Sequence, residues 1–279
     1  MSVVVNTNIS SLMVQRNLSA STFKLQTSMQ RLSTGLRINS AADDAAGLAL
    51  SEKLNSHIKS SAVTKSNAQT GINMLQVAES DLNEIQTNLQ RIRDLAVQSA
   101  NGVYSSSERN AINQEVQERL AEIDRVSASS QFSDLKLLDG SLGTDLRLQI
   151  GTYTDLTANT VNIASAFATT TTAALSISGL TVTTVLTARA AMDSLDEAIT
   201  SLSERRSKIG ASINRLQSTI DRIDVRKENL ESSYSVIRDT DIAQETANLT
   251  KQQVLQQSGA MLLKQANTST QIALSLLQS

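Results

Sequence analysis

The chain has 279 residues, with 25 Lys and Arg against 27 Asp and Glu and a net charge of −2, a balance without the basic surface that nucleic-acid binding requires. Cysteine and tryptophan are absent and there are three Phe and three Tyr, which excludes disulfide frameworks, thiolate metal centres, thiol nucleophiles and base-stacking platforms. Proline is also absent; because proline breaks helix interiors and marks turns, its absence permits very long helices.

In chain order, Met1–Asn6 has no basic flank and a three-residue apolar run, so it does not read as a secretory signal peptide. Nor does any apolar run approach the roughly 20 residues that span a membrane. Residues 1–42 carry Arg16, Lys24, Arg31 and Arg37 and no acid, with Val14, Leu18, Leu25, Met29, Leu32 and Leu36 near heptad spacing. Gly35 and Asn39-Ser40 interrupt that stripe and predict a hinge. Asp43 and Asp44 fit a helix start, where carboxylates suit the helix dipole, better than a metal site.

From about 45 to 100 the sequence predicts one helix of ~84 Å at 1.5 Å per residue. Within it Leu75, Ala78, Leu82, Ile85, Leu89, Ile92 and Ala96 alternate spacings of three and four, the signature of a coiled-coil seam. Asn101-Gly102 ends it. Ser105 and Glu108 have capping-box spacing and open a second helix lined by Ile112, Val116, Leu120 and Ile123. Leu146, Leu148 and Ile150 alternate with polar residues as in a half-buried strand, with 160–163 as its return, so one β-hairpin is expected at about 140–165. The segment 169–186, rich in Ser and Thr, reads as an exposed loop. A second rod follows over about 188–237, with Ala191, Leu195, Ala198, Leu202 and, after a stutter, Ile209, Ile213, Leu216, Ile220 and Ile223 on one face. In the last segment Leu249, Leu263 and Leu277 lie on one stripe. His57, the single histidine, reads as a surface residue of the rod.

One narrow stripe on a lone chain does not offset the entropy of ordering its backbone. Both ends are therefore expected to be largely unfolded in the monomer and to become helical when other copies supply partners. No HExxH, Walker loop or nucleophile elbow occurs, and no cofactor, metal or catalytic site is expected.

Several segments resemble the bacterial flagellin family. Asn6-Thr7-Asn8 stands near the start, and 31–40 (RLSTGLRINS) leads into 41–47 (AADDAAG). The stretch 89–98 (LQRIRDLAVQ) resembles the family's outer-rod motif, with 122–126 (EIDRV) and 148–151 (LQIG) following. Near the end 255–259 (LQQSG), 265–267 (QAN) and 274–277 (LSLL) are family-like. The likeness covers about 1–165 and 187–279. Thr268 and Thr270 depart from the Gln and Pro usual in the family tail, which favours an unbroken terminal helix.

That resemblance implies a mainly α fold of long antiparallel coiled-coil rods with one small β-hairpin, the terminal helices paired into an inner coiled coil. The ends, 1–42 and 238–279, would form the inner tube (D0), with Leu18, Leu25, Leu32, Leu36, Leu249, Leu263 and Leu277 as assembly seam. Residues 43–168 and 187–237 would form the surrounding rod (D1), and the loop 169–186 would replace outer domains. It implies a structural, non-enzymatic subunit of the extracellular flagellar filament, exported unfolded through the type III apparatus. Implied partners are other copies, an export chaperone on about 240–279, and the filament cap and hook-junction proteins. Arg91, Leu95 and Glu115 match family positions that contact a vertebrate Toll-like receptor and would also make lattice contacts. The competing readings are a hook–filament junction protein and a secreted coiled-coil effector.

Overall fold

The computed structural model describes residues 7–278, with side chains placed through 268. Five long helices dominate: α1 (Ile9–Thr34), α2 (Ala45–Ser99), α3 (Ser106–Ser129), α5 (Val185–Arg238) and α6 (Ile242–Gln278). A single-turn α4 (Leu156–Asn159) and four short strands, β1 (Gln131–Phe132), β2 (Leu135–Lys136), β3 (Arg147–Gln149) and β4 (Thr160–Asn162), lie between α3 and α5. The chain divides into two compact units, one of residues 1–56 with 229–279 and one of residues 57–228; α2 and α5 contribute to both.

In the second unit the coiled-coil reading holds, with Ile112 and Ile213 partly buried against the core. Leu75, Ala78, Leu82, Ile85, Leu89, Ile92 and Ala96 of α2 are all buried, as are Val116, Leu120 and Ile123 of α3 and Leu195, Ala198, Leu202, Ile209 and Leu216 of α5. Cross-links between α2 and α5 fix their direction. Lys65 reaches Asp224 at 2.6 Å and Arg93 reaches Asp196 at 2.6 Å, while Arg206 bonds Gln86 between them. As the α2 number rises the α5 number falls, so the helices are antiparallel. The stutter in the α5 seam is filled by Arg205 and Arg206. The guanidinium of Arg205 donates to the Thr169 carbonyl, and its burial pulls its pKa down.

The capping box at α3 forms as its spacing predicts. The Ser105 backbone N–H donates to Glu108 Oε2 at 2.7 Å, and the Glu108 N–H to Ser105 Oγ at 3.4 Å. The β3–β4 pair is antiparallel in the register Arg147↔Asn162, Leu148↔Val161, Gln149↔Thr160, which turns Val161 into the core. A second pair, β1–β2, joins Gln131↔Lys136 and Phe132↔Leu135, so the expectation of a single hairpin is corrected. Its turn runs through Ser133 at φ 55, a left-handed position with no glycine to signal it.

The 169–186 segment is also corrected. Thr170, Thr172, Leu175, Ile177 and Val182 are buried. The Thr172 N–H and Oγ1 each donate to Asp124 at 2.8 Å, and the Thr170 N–H donates to the Leu138 carbonyl at 3.0 Å. The Val182 N–H donates to Asn113 Oδ1 at 3.0 Å. Side chains of α3 thus satisfy a backbone that makes no ladder of its own, and three apolar side chains anchor it. His57 is half-buried and rests 5.2 Å from the Tyr153 ring, with the Arg226 guanidinium 5.5 Å from the same ring.

In the first unit α1 and α6 pair along their length. Asn8 Nδ2 donates to the Ala266 carbonyl at 3.0 Å, Gln256 Nε2 to Thr22 Oγ1 at 3.3 Å, and Arg31 lies 3.8 Å from Glu245. These links again run in opposite directions. Asp44 Oδ1 accepts from the Gly47 N–H at 2.9 Å and Asp241 Oδ1 from the Gln244 N–H at 3.0 Å; both aspartates therefore cap helix starts, satisfying otherwise unpaired N–H groups.

Candidate assembly and recognition surfaces

Three groups of residues carry the functional expectations. The first is the terminal-helix seam. Leu25 is 9 % exposed, whereas Leu18, Leu32, Leu36, Leu249 and Leu263 are half-buried. The side chain of Leu277 lies outside the described residues. Gly259 faces Leu18, and a Cβ there would sit 3.3 Å from Leu18 Cδ1, so the small residue lets the two helices approach. On α1 the buried residues are Leu25 and Ser28. On α6, Glu245 is buried.

The opposite face of this pair escapes the sequence reading, which follows the seam alone. Ile9, Leu12, Met13 and Phe23 on α1 and Val254, Leu255, Met261 and Leu262 on α6 are exposed, Phe23 by 70 % and Met261 by 73 %. Two adjacent helices thus present large apolar side chains outward, the mark of a surface awaiting a partner. A signal existed in the sequence: these residues fall off the heptad stripe, yet they are apolar where a solvated face would be polar.

The second group is Arg91, Leu95 and Glu115. Arg91 Nε and Arg119 Nε both reach Glu115 Oε1, at 3.1 and 3.2 Å, and Arg119 Nη1 donates to Asn88 Oδ1 at 3.1 Å. The hydrogen bond from Arg91, aided by Arg119, holds the Glu115 carboxyl below its ordinary pKa. Arg91 and Glu115 therefore stand together. Leu95 does not join them: it is 2 % exposed and belongs to the core of the second unit. The expectation of a contact surface at Leu95 is corrected. Leu95 lies three residues after Ile92, inside the seam, so its side chain turns into the core cluster.

The third group is Gly35, Asn39 and Ser40. Gly35 ends α1 at φ 71, with its N–H on the Arg31 carbonyl, a left-handed cap that glycine adopts without steric cost. The Gly35 carbonyl accepts from the Thr240 N–H at 2.9 Å, and the Arg37 N–H donates to the Arg238 carbonyl at 2.7 Å. Leu36 and Asp239 form an isolated antiparallel bridge. Asp43 Oδ2 accepts from the N–H groups of Asn39 and Ser40 and from Ser40 Oγ, chiefly the Ser40 bonds, which lower its pKa. The α1–α2 and α5–α6 connections are thus stitched to each other.

Comparison with known proteins bears on these surfaces. Residues 5–144 match the bacterial flagellin N-terminal helical region, and residues 192–277 match the bacterial flagellin C-terminal helical region. The chain is 41 % identical to the flagellar filament 33 kDa core protein of Treponema phagedenis, over 99 % of this chain and all of that one. It is 37 % identical, with the same coverage, to a flagellin of Halalkalibacterium halodurans. Among solved structures, a putative flagellar hook-associated protein from Vibrio parahaemolyticus shares the fold, with a TM-score of 0.56 at 14 % identity over 70 % of this chain and 99 % of that one. Full-length identity to filament proteins, with both helical regions present, establishes that this chain belongs to the bacterial flagellin family and is a non-enzymatic structural subunit of the flagellar filament, built to polymerise with copies of itself.

Proposed function

We propose that the terminal helices complete their folding only during filament growth, where α1 and α6 of neighbouring copies cover one another's outward apolar faces as an inner tube. The observation that carries this reading is the contrast between α1, with Leu25 and Ser28 buried, and the α2 seam, buried from Leu75 to Ala96. Apolar burial is the main force opposing chain entropy, and in a single copy the terminal pair has little of it. In this reading residues 1–42 and 238–279 form the inner layer (D0), and residues 43–168 with 187–237 form the outer rod (D1). Gly35, Asn39 and Ser40 act as the hinge at which the layers are set against each other during assembly.

A chain with unfolded ends suits export through the flagellar type III apparatus, and absent cysteine and proline leave neither cross-links nor slow isomers to hinder threading. Before export, the amphipathic segment 240–279 needs an export chaperone to keep it from premature contact. Cap and hook-junction proteins meet the same helical ends at the tips of the filament. Arg91 and Glu115, solvent-facing and fixed by Arg119, offer a rigid polar contact to a neighbouring subunit and to a vertebrate Toll-like receptor.

Truncation tests the reading. Removing residues 1–30 or 250–279 should abolish polymerisation while near-native melting of the second unit is kept. A truncated chain that still forms filaments, or one whose second unit unfolds, contradicts it.

A further inference from the structure

One stripe on the exposed face of α5 within the second unit is divided by charge, with Arg189, Asp221 and Glu228 exposed beside it. Asp193, Glu197 and Glu204 are followed by Lys208, Arg215, Arg222 and Arg226. At 3.6 residues per turn these seven positions fall within about 60° of one another around the helix. All seven are exposed, as are Thr200, Ala211 and Ser218, the small residues between them on the same stripe. Among the described residues none of the seven forms an ion pair. Asp196, one residue from Glu197 and off the stripe, is the acid that Arg93 takes. Arg222 donates to Thr219 Oγ1 and Arg226 lies over the Tyr153 ring. Three acids and four bases thus face solvent along one line, sorted into two halves.

We propose that this stripe docks a second copy of this chain, parallel and displaced along the rod, so that the acidic half of one copy lies beside the basic half of the next. The midpoints of the two halves are about 20 residues apart, so the displacement is ~30 Å at 1.5 Å per residue. The charge order selects the partner. A membrane surface or a nucleic acid, uniformly anionic, is repelled by the acidic half. Two copies in register set like charges side by side. A staggered copy matches both signs and leaves a free acidic half at one end and a free basic half at the other, so the contact repeats without closing. The small residues Thr200, Ala211 and Ser218 let the flanks approach. Contacts of this kind are screened by salt over a Debye length of ~10 Å at 0.1 M, so they act on the register and rate of addition. The inference rests on self-assembly of this chain and adds to it a residue-level rule for axial stagger.

Charge reversal tests it on the full chain in seeded polymerisation at low salt. The acid variant carries Asp193→Lys, Glu197→Lys and Glu204→Lys; the base variant carries Lys208→Glu, Arg215→Glu and Arg222→Glu. Each alone should raise the critical concentration for growth about tenfold, the joint weight of several exposed ion pairs. A 1:1 mixture of the two, and a chain carrying all six changes, should recover growth to within about twofold of the parent. Circular dichroism and melting of each monomer check that the exposed substitutions leave the fold intact. Growth of both single-sign variants at the parental rate overturns the proposal, as does a six-fold variant that grows worse than either. Loss of a soluble salt-sensitive dimer with unchanged filament growth would assign the stripe to an antiparallel pair instead. Failure of the parent chain itself to polymerise would count against self-assembly and not against the stripe alone.

Discussion

Leu95 separates two accounts of one motif, and its replacement by alanine distinguishes them. At 2 % exposure it sits in the cluster that joins α2, α3 and α5. Truncating a fully buried leucine removes its transfer energy and leaves a cavity, for a cost of ~2.7–5 kcal/mol. For a unit of this size each kcal/mol shifts the melting temperature by about 2–4 °C, so the drop should be roughly 6–20 °C. Arg91→Ala, four residues earlier, is the control. It removes an exposed ion pair to Glu115 that Arg119 partly replaces, and such pairs contribute ~0–1 kcal/mol. Thermal and urea unfolding of the monomer, followed by circular dichroism, measure both. A Leu95→Ala monomer that melts within ~1 °C of the parent would refute the placement of this side chain in the core and return it to the surface.

Two other outcomes follow from side-chain contacts. Asp124→Ala removes the acceptor of the Thr172 N–H and hydroxyl; a buried N–H left unpaired costs ~1–3 kcal/mol. Limited proteolysis should cut within 169–184 in that variant and spare the segment in the parent. The carboxyls of Asp43, Glu108, Glu115, Asp139, Asp155 and Asp196 are all held below their ordinary pKa, each chiefly by a hydrogen bond from a neighbouring residue. A lowered native pKa favours the folded state above the unfolded value and loses that contribution as pH falls through the native one. Urea midpoints should therefore be level above the ordinary carboxylate range near pH 4 and decline below it; a midpoint that rises on acidification would contradict these contacts.

Much of the architecture was legible because its signals are periodic. Strict three-four spacing named the α2 seam, the Ser105–Glu108 pair named the start of α3, and alternation at 146–150 named a strand that pairs back with 160–162. What escaped depends on contacts between distant residues. Thr170 and Thr172 look solvated until Asp124, Ser127 and Leu138 accept hydrogen bonds from them across the fold. Leu175, Ile177 and Val182 did mark that segment as anchored, but the density of hydroxyl residues masked them. The Ser133 turn carries no glycine, so the β1–β2 pair had no local mark. Leu95 matches a surface motif in sequence, yet its place three residues after Ile92 puts it in the seam, where it is buried. At the α5 stutter, apolar periodicity lapses where Arg205 and Arg206 find polar partners inward, which spacing alone does not reveal.

The stitched connections explain why two helical ends with little burial still have a defined register. Gly35, Leu36 and Arg37 bond to 236–240, so α1 and α6 leave from a common point. In the proposed assembly, association of the ends with neighbouring copies would then begin from a restricted geometry, which reduces the entropy lost on ordering.

Hydrogen exchange on the monomer and on the assembled filament tests the central claim most directly. Opening free energy sets amide protection. In the monomer the amides of residues 9–34 and 242–268 should exchange at least ~100-fold faster than those of the α2 seam from Leu75 to Ala96, and in the filament they should become protected to a similar degree. Terminal helices as slow as the α2 seam in the monomer, or unchanged on assembly, would contradict it.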